Sequence, residues 1–292
     1  MINGININKK ANRNYNKKGL IFILPSLLGL FIFIFIPFSD VVIRSFQDEI
    51  TREFIGIGNY KDIFTNNAYK LALLNTVKFT VICIPLLLLI SLTIAVLLNR
   101  FVNIKVSHYI KTSFLLTYVI PTASVVLIWK LFFHEKGLIN VIFFKLGFEG
   151  IDWMNTKYAF WVLVGSYLWK NIGYSIILWL TGINAINKEM IEGAMVDGAG
   201  EWKIFTKIML PNLKTSFYII TVISIINSFK VFREAYLVGG NYPDESMYML
   251  QHLFNNWFVD LSFGKIAAAS VIVAIFIALL IVVLQKQWKS EY

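Results

Sequence analysis

Two stretches of this chain place charged and amide side chains among almost wholly apolar neighbours. One contains Lys170 and Asn171, the other Asn227, Phe229, Lys230 and Glu234. A charge held among apolar residues is costly unless it faces water, a cavity or a partner. Lys170 therefore reads as a cation lining a cavity, pairing helices, or sitting at a segment end. Lys230 and Glu234 are four apart and can pair on one helix face. Rings beside hydrogen-bonding groups, as in Phe229–Tyr236, are the chemistry of a carbohydrate site. Tyr236 and Tyr242 read rather as interfacial belt or packing residues. Lys78 and Lys130 lie near the ends of apolar runs and read as snorkelling.

A third stretch, Asn184–Ser216, is amphipathic. Met190, Ile191, Ala194 and Met195 share one face at helical spacing, and Glu189, Glu192, Gly193 and Asp197 share the other. Gly198-Ala199-Gly200 stops that helix. A second short helix follows with Trp202, Ile204, Phe205, Ile208 and Met209 on one face, ended by Pro211. A helix lying on a bilayer favours Lys and Arg on its polar face. An acidic face beside a glycine turn fits docking into a protein groove better.

Other chemistries lack their residues. No G-x-x-x-x-G-K-[ST], G-x-S-x-G or H-E-x-x-H occurs. His108, His134 and His252 fall on three separate loops with no metal-ligand spacing. The single cysteine, Cys83, sits in an apolar run and reads as a small buried hydrophobe.

The elements that must position these residues are membrane helices. The chain has 292 residues, 57% apolar and only 15% charged, with a mean hydropathy of +0.66. A soluble domain is nearer a quarter charged. Residues 20–38 carry no charge, enough to cross a bilayer as a helix. The segments 71–98, 113–133, 158–181, 214–238 and 265–285 approach the same standard. The expectation is an all-α, six-span protein: a basic head over 1–19, a membrane domain over 20–285, and a short tail over 286–292. Pro37-Phe38-Ser39-Asp40 does not resemble a signal cleavage site, so the first span reads as retained. Pro85 and Pro121 fall inside spans, where kinks are tolerated.

Orientation follows from the basic residues. The head holds Lys9, Lys10, Arg13, Lys17 and Lys18, and 99–112 holds Arg100, Lys105 and Lys111, with no acid in either. Residues 239–264 hold Asp244, Glu245 and Asp260 and no Lys or Arg. The head, 99–112, 182–213 and the tail are thus expected in the cytoplasm.

The motif Glu192-Gly193-Ala194 with Gly198, followed by Ile208, Leu210 and Pro211, resembles the EAA loop of binding-protein-dependent ABC importer permeases. Gly193 departs from the usual alanine. Leu24-Pro25, Phe54-Ile55-Gly56, Asn59-Tyr60, Asn75-Thr76, Ala95–Asn99, Trp169-Lys170 and Ser228–Phe232 are similar to the carbohydrate branch, the maltose-transporter first-permease type. Leu116-Thr117-Tyr118 departs from that branch in the third span. The resemblance implies a type I importer permease fold in a bacterial cell membrane. It implies a second homologous permease, two ATPase subunits and an extracellular solute-binding protein as partners. It places ATP and Mg on the ATPases and no cofactor on this chain. Glu192, Gly193, Ala194, Asp197 and Gly198 would couple to the ATPases. Lys170, Asn171, Asn227, Phe229, Lys230 and Glu234 would line the path of a sugar, most naturally an oligosaccharide, or of a glycerol-phosphate-like solute. An ion-coupled transporter would need broken helices around an intramembrane carboxylate, for which Glu234 alone is available. A membrane-embedded enzyme would need a catalytic constellation the sequence lacks.

Overall fold

The computed structural model describes the backbone of residues 22–101 and 104–289. The basic head at 1–19 and the last three residues of the tail lie outside the described residues. Among those described, the structure is helical, with one isolated bridge between Gln47 and Phe54 and no strand. The chain divides into two compact units, one from 1–65 with 260–275 and one from 66–259 with 276–292.

In the first unit, α1 (Phe22–Arg44) is almost wholly apolar as far as Phe38, carries an Asp40–Arg44 ion pair at its end and has no buried residue, the pattern of a helix that faces lipid over most of its length. A π-helical turn, Phe31–Phe35, lies within it. The chain then turns through Ser45–Ile57 into α2 (Gly58–Thr65). The buried Asn59 holds this turn by donating through Nδ2 to the carbonyls of Ser45 and Gln47 at 3.1 and 2.9 Å. The Asp48 carboxylate accepts from the Thr51 and Ile50 amides. These bonds, Thr51 first, hold its pKa below the ordinary value.

The second unit carries the longer helices. They are α3 (Asn67–Phe101), α4 (Ile104–Val119), α5 (Thr122–Phe133), α6 (Leu138–Lys145) and α7 (Ala159–Asn184). Next come α8 (Lys188–Val196) and α9 (Glu201–Ile204), the latter running through a π turn into Leu210–Asn212. Then follow α10 (Lys214–Phe229), α11 (Phe232–Gly239), α12 (Leu250–Val259) and α13 (Phe263–Lys289), which continues through both units.

Helix α7 packs against α3, α4 and α10. Gly173 permits its approach to α4, since a Cβ there would lie 2.0 Å from the Phe114 carbonyl oxygen. Two buried apolar clusters fill the unit. One gathers Phe79, Leu87, Phe160 and Tyr167, and the other Leu98, Ile176, Trp179 and Ile220.

Among the described residues, four helices are long and apolar enough to cross a membrane: Phe22–Arg44, Asn67–Arg100, Lys214–Gly239 and Phe263–Lys286. A fifth crossing arises if the bent pair Tyr109–Val119 and Thr122–Lys145 is one span. That pair holds the expected span 113–133, with its kink at Pro121. It turns by 97° at Ile120-Pro121, because proline disfavours helical geometry in the residue before it. Pro85, by contrast, stays inside a continuous α3. Helix α7 covers the expected span 158–181 but is not among the apolar four. Lys170, Asn171 and its Ser, Thr and Tyr residues lower its hydropathy, and it is instead heavily buried.

Candidate functional site

The bend at Pro121, the middle of α7 and the junction of α10 with α11 border an open cavity of about 250 Å³. Tyr118, Thr122, Tyr167, Lys170, Asn171, Asn227, Lys230, Val231, Arg233 and Glu234 line it, so most of its wall is polar. Helical spacing explains the convergence. Tyr167, Lys170 and Asn171 fall at i, i+3 and i+4 on α7. Asn227, Lys230, Val231 and Glu234 fall at i, i+3, i+4 and i+7 across the α10–α11 junction. That junction keeps helical torsions at Lys230 and Val231, so the face is not interrupted.

At one end of the cavity lies an ion pair. Lys170 Nζ donates to Glu234 Oε1 at 3.1 Å and to Thr122 Oγ1 at 2.5 Å. Both charged side chains are largely withdrawn from solvent, 18% and 11% exposed. Glu234 Oε2 is buried with no hydrogen-bond partner among the described residues. Glu234 also borders a small apolar void lined by Val126, Trp129 and Leu163. Spacing alone pairs Glu234 with Lys230, four residues before it. The structure corrects this: Glu234 turns to α7, and Lys230 is left exposed.

Further along the wall, Asn227 Nδ2 donates to Asn171 Oδ1 at 3.1 Å, and Asn171 Nδ2 to the Tyr167 carbonyl at 2.9 Å. Tyr167 Oη donates to the Ser224 carbonyl. Tyr118 stacks on Tyr174 with ring centroids 5.5 Å apart.

Five of the six expected path residues thus share one cavity. Phe229 does not. It packs against the second apolar cluster and borders a separate small void with Thr76, Phe79 and Met249. It lies two residues after Asn227, and that step of about 200° turns it to the far side of the helix. Sequence reasoning misses Tyr118, Thr122, Tyr167 and Arg233. Tyr167 and Arg233 carry a usable signal, each three residues from a lysine already singled out. Thr122 is placed by the Pro121 bend, which spacing alone does not reveal.

The second site is α8. The Asn187 side chain caps it by accepting from the Glu189 amide at 2.9 Å. It ends at Gly198, whose φ of +76° is the left-handed geometry glycine tolerates. Ala199 N donates to the Ala194 carbonyl and Gly198 N to that of Met195, the paired bonds of a Schellman ending. The apolar face divides. Ile191 packs towards the second cluster, whereas Met190, Met195 and Val196 are exposed, Val196 by 88%. Glu192, Gly193 and Asp197 are exposed, and Ala194 is half-buried. An ion pair between Arg100 and Glu201 joins the end of α3 to the start of α9.

Near the N-terminal ends of α3 and α12, Asn75 Nδ2 donates to the Glu245 and Tyr248 carbonyls. Thr76 Oγ1 accepts from the Leu250 amide. His252 is fully buried there. Its Nδ1 accepts from the Met249 amide, and Phe232 lies edge-on at 4.8 Å. Burial pushes its pKa down to about 4, so the ring is neutral. Among the described residues no group of three or more His, Cys, Asp or Glu is placed to hold a metal ion.

Comparison with known proteins identifies the family of the chain. Residues 88–286 match the family described as the binding-protein-dependent transport system inner membrane component. The chain is 33% identical over 236 residues to the arabinooligosaccharides transport system permease protein AraP of Bacillus subtilis, covering 78% of this chain and 74% of that one. It is 30% identical over 261 residues to the sulfoquinovosyl glycerol transport system permease protein SmoG of Agrobacterium fabrum, covering 85% and 83%. In fold it is similar to a chain of a bacterial ABC transporter involved in import of the acidic polysaccharide alginate. The TM-score is 0.79 at 20% identity, over 97% of this chain and 98% of that one. The chain therefore belongs to the binding-protein-dependent transport system inner membrane component family, and is a multi-pass membrane transport subunit rather than an enzyme.

Proposed function

We propose that this chain is one of two permease halves of an ATP-driven carbohydrate importer in a bacterial cell membrane. Its six spans are α1, α3, the bent α4–α5 pair, α7, α10 with α11, and α13, and both termini are cytoplasmic. The observation that carries the reading is the polar cavity at α7 and the α10–α11 junction, set among helices otherwise suited to lipid. Amides and hydroxyls at its wall match the hydrogen-bonding demands of a polyol. The names of relatives support the substrate class: arabinooligosaccharides for AraP, and trehalose and maltose for a Thermococcus litoralis permease that is 26% identical over 273 residues.

The second homologous permease completes the path. Two ATPase subunits bind ATP and Mg, and an extracellular solute-binding protein delivers the sugar. A related fold occurs in an alginate transporter described in complex with its ligand-bound periplasmic protein. Helix α8 docks in a groove on an ATPase, with Met190, Met195 and Val196 as the apolar contact and Glu192 and Asp197 beside them. Because its Asn187 cap and Gly198 ending make it a rigid piece, it passes the ATPase closure to the spans.

The test is uptake of labelled oligosaccharides by proteoliposomes holding the full complex and its binding protein. Glu192→Lys is expected to abolish uptake and ATPase co-purification while the two permeases still assemble in the membrane. Normal uptake by that variant, with the ATPases bound, would refute the docking role.

A further inference from the structure

The charges around the cavity do not balance. Lys170, Lys230 and Arg233 line it against a single carboxylate, Glu234. Glu234 is committed to Lys170 at 3.1 Å. Lys230 and Arg233 are exposed, and neither has an ion-pair partner among the described residues. They sit three residues apart, on one helical face beside the amides of Asn227 and Asn171. Two uncompensated cations at a cavity wall raise the local concentration of anions and disfavour cations. For a neutral sugar they bring no advantage that Asn or Gln would not bring more cheaply.

We infer that the cavity takes an anionic saccharide: a sugar carrying a carboxylate, sulfonate or phosphate, with Lys230 and Arg233 as the residues that bind the acid group. This rests on the carbohydrate reading of the same cavity and narrows it. Lys170 is the third cation, held in reserve by Glu234. Its ammonium stays solvated by a carboxylate and the Thr122 hydroxyl whether or not solute is present. The acid group meets Arg233 as a planar fork and Lys230 as a point charge, both forming charge-assisted bonds. The sugar hydroxyls are left to Asn171 and Asn227. A solute with no acid group would leave both cations unpaired in a closing, drying cavity, which selects against it.

The experiment uses the complete transporter with its binding protein in proteoliposomes, and charge-matched probes. The anionic set is digalacturonate, cellobiuronate and sucrose 6-phosphate. The neutral set is galactobiose, cellobiose and sucrose. Saturable uptake of an anionic member, exceeding that of its neutral counterpart, is expected. Lys230→Gln and Arg233→Gln should each lower it about tenfold or more, the usual loss when one charge-assisted contact is removed. Lys78→Gln should leave it unchanged, because that ammonium lies 4.6 Å over the Phe160 ring and outside the cavity. Uptake confined to neutral members would overturn the inference and leave the carbohydrate reading standing. Anionic uptake that is unchanged in the double variant would overturn it too. Loss of the second permease from the purified double variant would make the two cations interface residues, with the same consequence. Uptake of neither set would remove the carbohydrate reading itself, and this inference with it.

Discussion

At the cavity, Lys170 is held by Thr122 and Glu234, which lie 48 and 64 residues away in sequence. Helix α8 is held by bonds that all fall between Asn187 and Ala199. The cavity is therefore a product of tertiary packing, and its residues depend on one another. The exposed helix is a local product, and its residues act nearly independently. The stability of the chain should respond accordingly, with large and coupled effects of substitution at the first site and small, additive ones at the second.

The ion pair gives the sharpest break. Removing one partner leaves the other charge buried without compensation, which costs about 3–5 kcal/mol. Lys170→Met and Glu234→Gln are each expected to lower the thermal stability of the purified complex by that order. The two together should cost much less than their sum, because no unpaired charge remains. A double-mutant cycle in detergent measures this directly. Strict additivity would show that Lys170 and Glu234 do not act as a pair.

The same contrast explains which features are legible in the amino-acid sequence. The α8 helix, its stop at Gly198 and its acidic face are legible because helix periodicity and glycine endings are local signals. The polarity of Lys170, Asn171, Asn227 and Glu234 is legible as misfit against apolar surroundings. Their joint cavity follows from two helical faces. The partner of Glu234 is not legible, since spacing offers Lys230 while packing presents Lys170. Phe229 has the right neighbours for the cavity but the wrong angle about the helix, and it points away. The 97° bend at Pro121 is not legible either, because proline in a span is compatible with a mild kink or a full break. Surrounding contacts choose between them. Helix α7 has the reverse lesson: its polar residues make it a weak hydropathy signal and, for the same reason, the wall of the cavity.

A region between these extremes is the buried His252. Its pKa is depressed to about 4 by burial, against about 6.5 in an unfolded chain. Between those values the unfolded state binds the extra proton. Stability is therefore fully present above about pH 6.5 and falls as the pH drops towards 4, by on the order of 3 kcal/mol. His252→Asn keeps a side-chain acceptor for the Met249 amide and removes the titration. Melting curves from pH 7.5 to 4.5 should converge with those of the parent at low pH. An equal pH slope in the two proteins would show that other groups set the acid sensitivity.

The smallest effect is expected where α8 is most self-contained. Gly193 lies in the helix interior, and a Cβ built there meets nothing within 4 Å. Alanine should therefore gain about 1 kcal/mol in helix stability by restricting the unfolded backbone. Gly198 makes the opposite case. It too has open space around an added Cβ, but its φ of +76° costs a non-glycine residue about 1–2 kcal/mol. Space is thus equal at the two positions, and only the backbone torsion differs. Amide exchange over 188–196 reads the difference, since one kcal/mol is about a fivefold change in opening. Gly193→Ala should slow exchange by about that factor and leave uptake intact, because no contact is added or lost. Gly198→Ala should speed it. Equal behaviour of the two variants would mean that α8 owes its stability to the surface it docks on rather than to its own cap and ending.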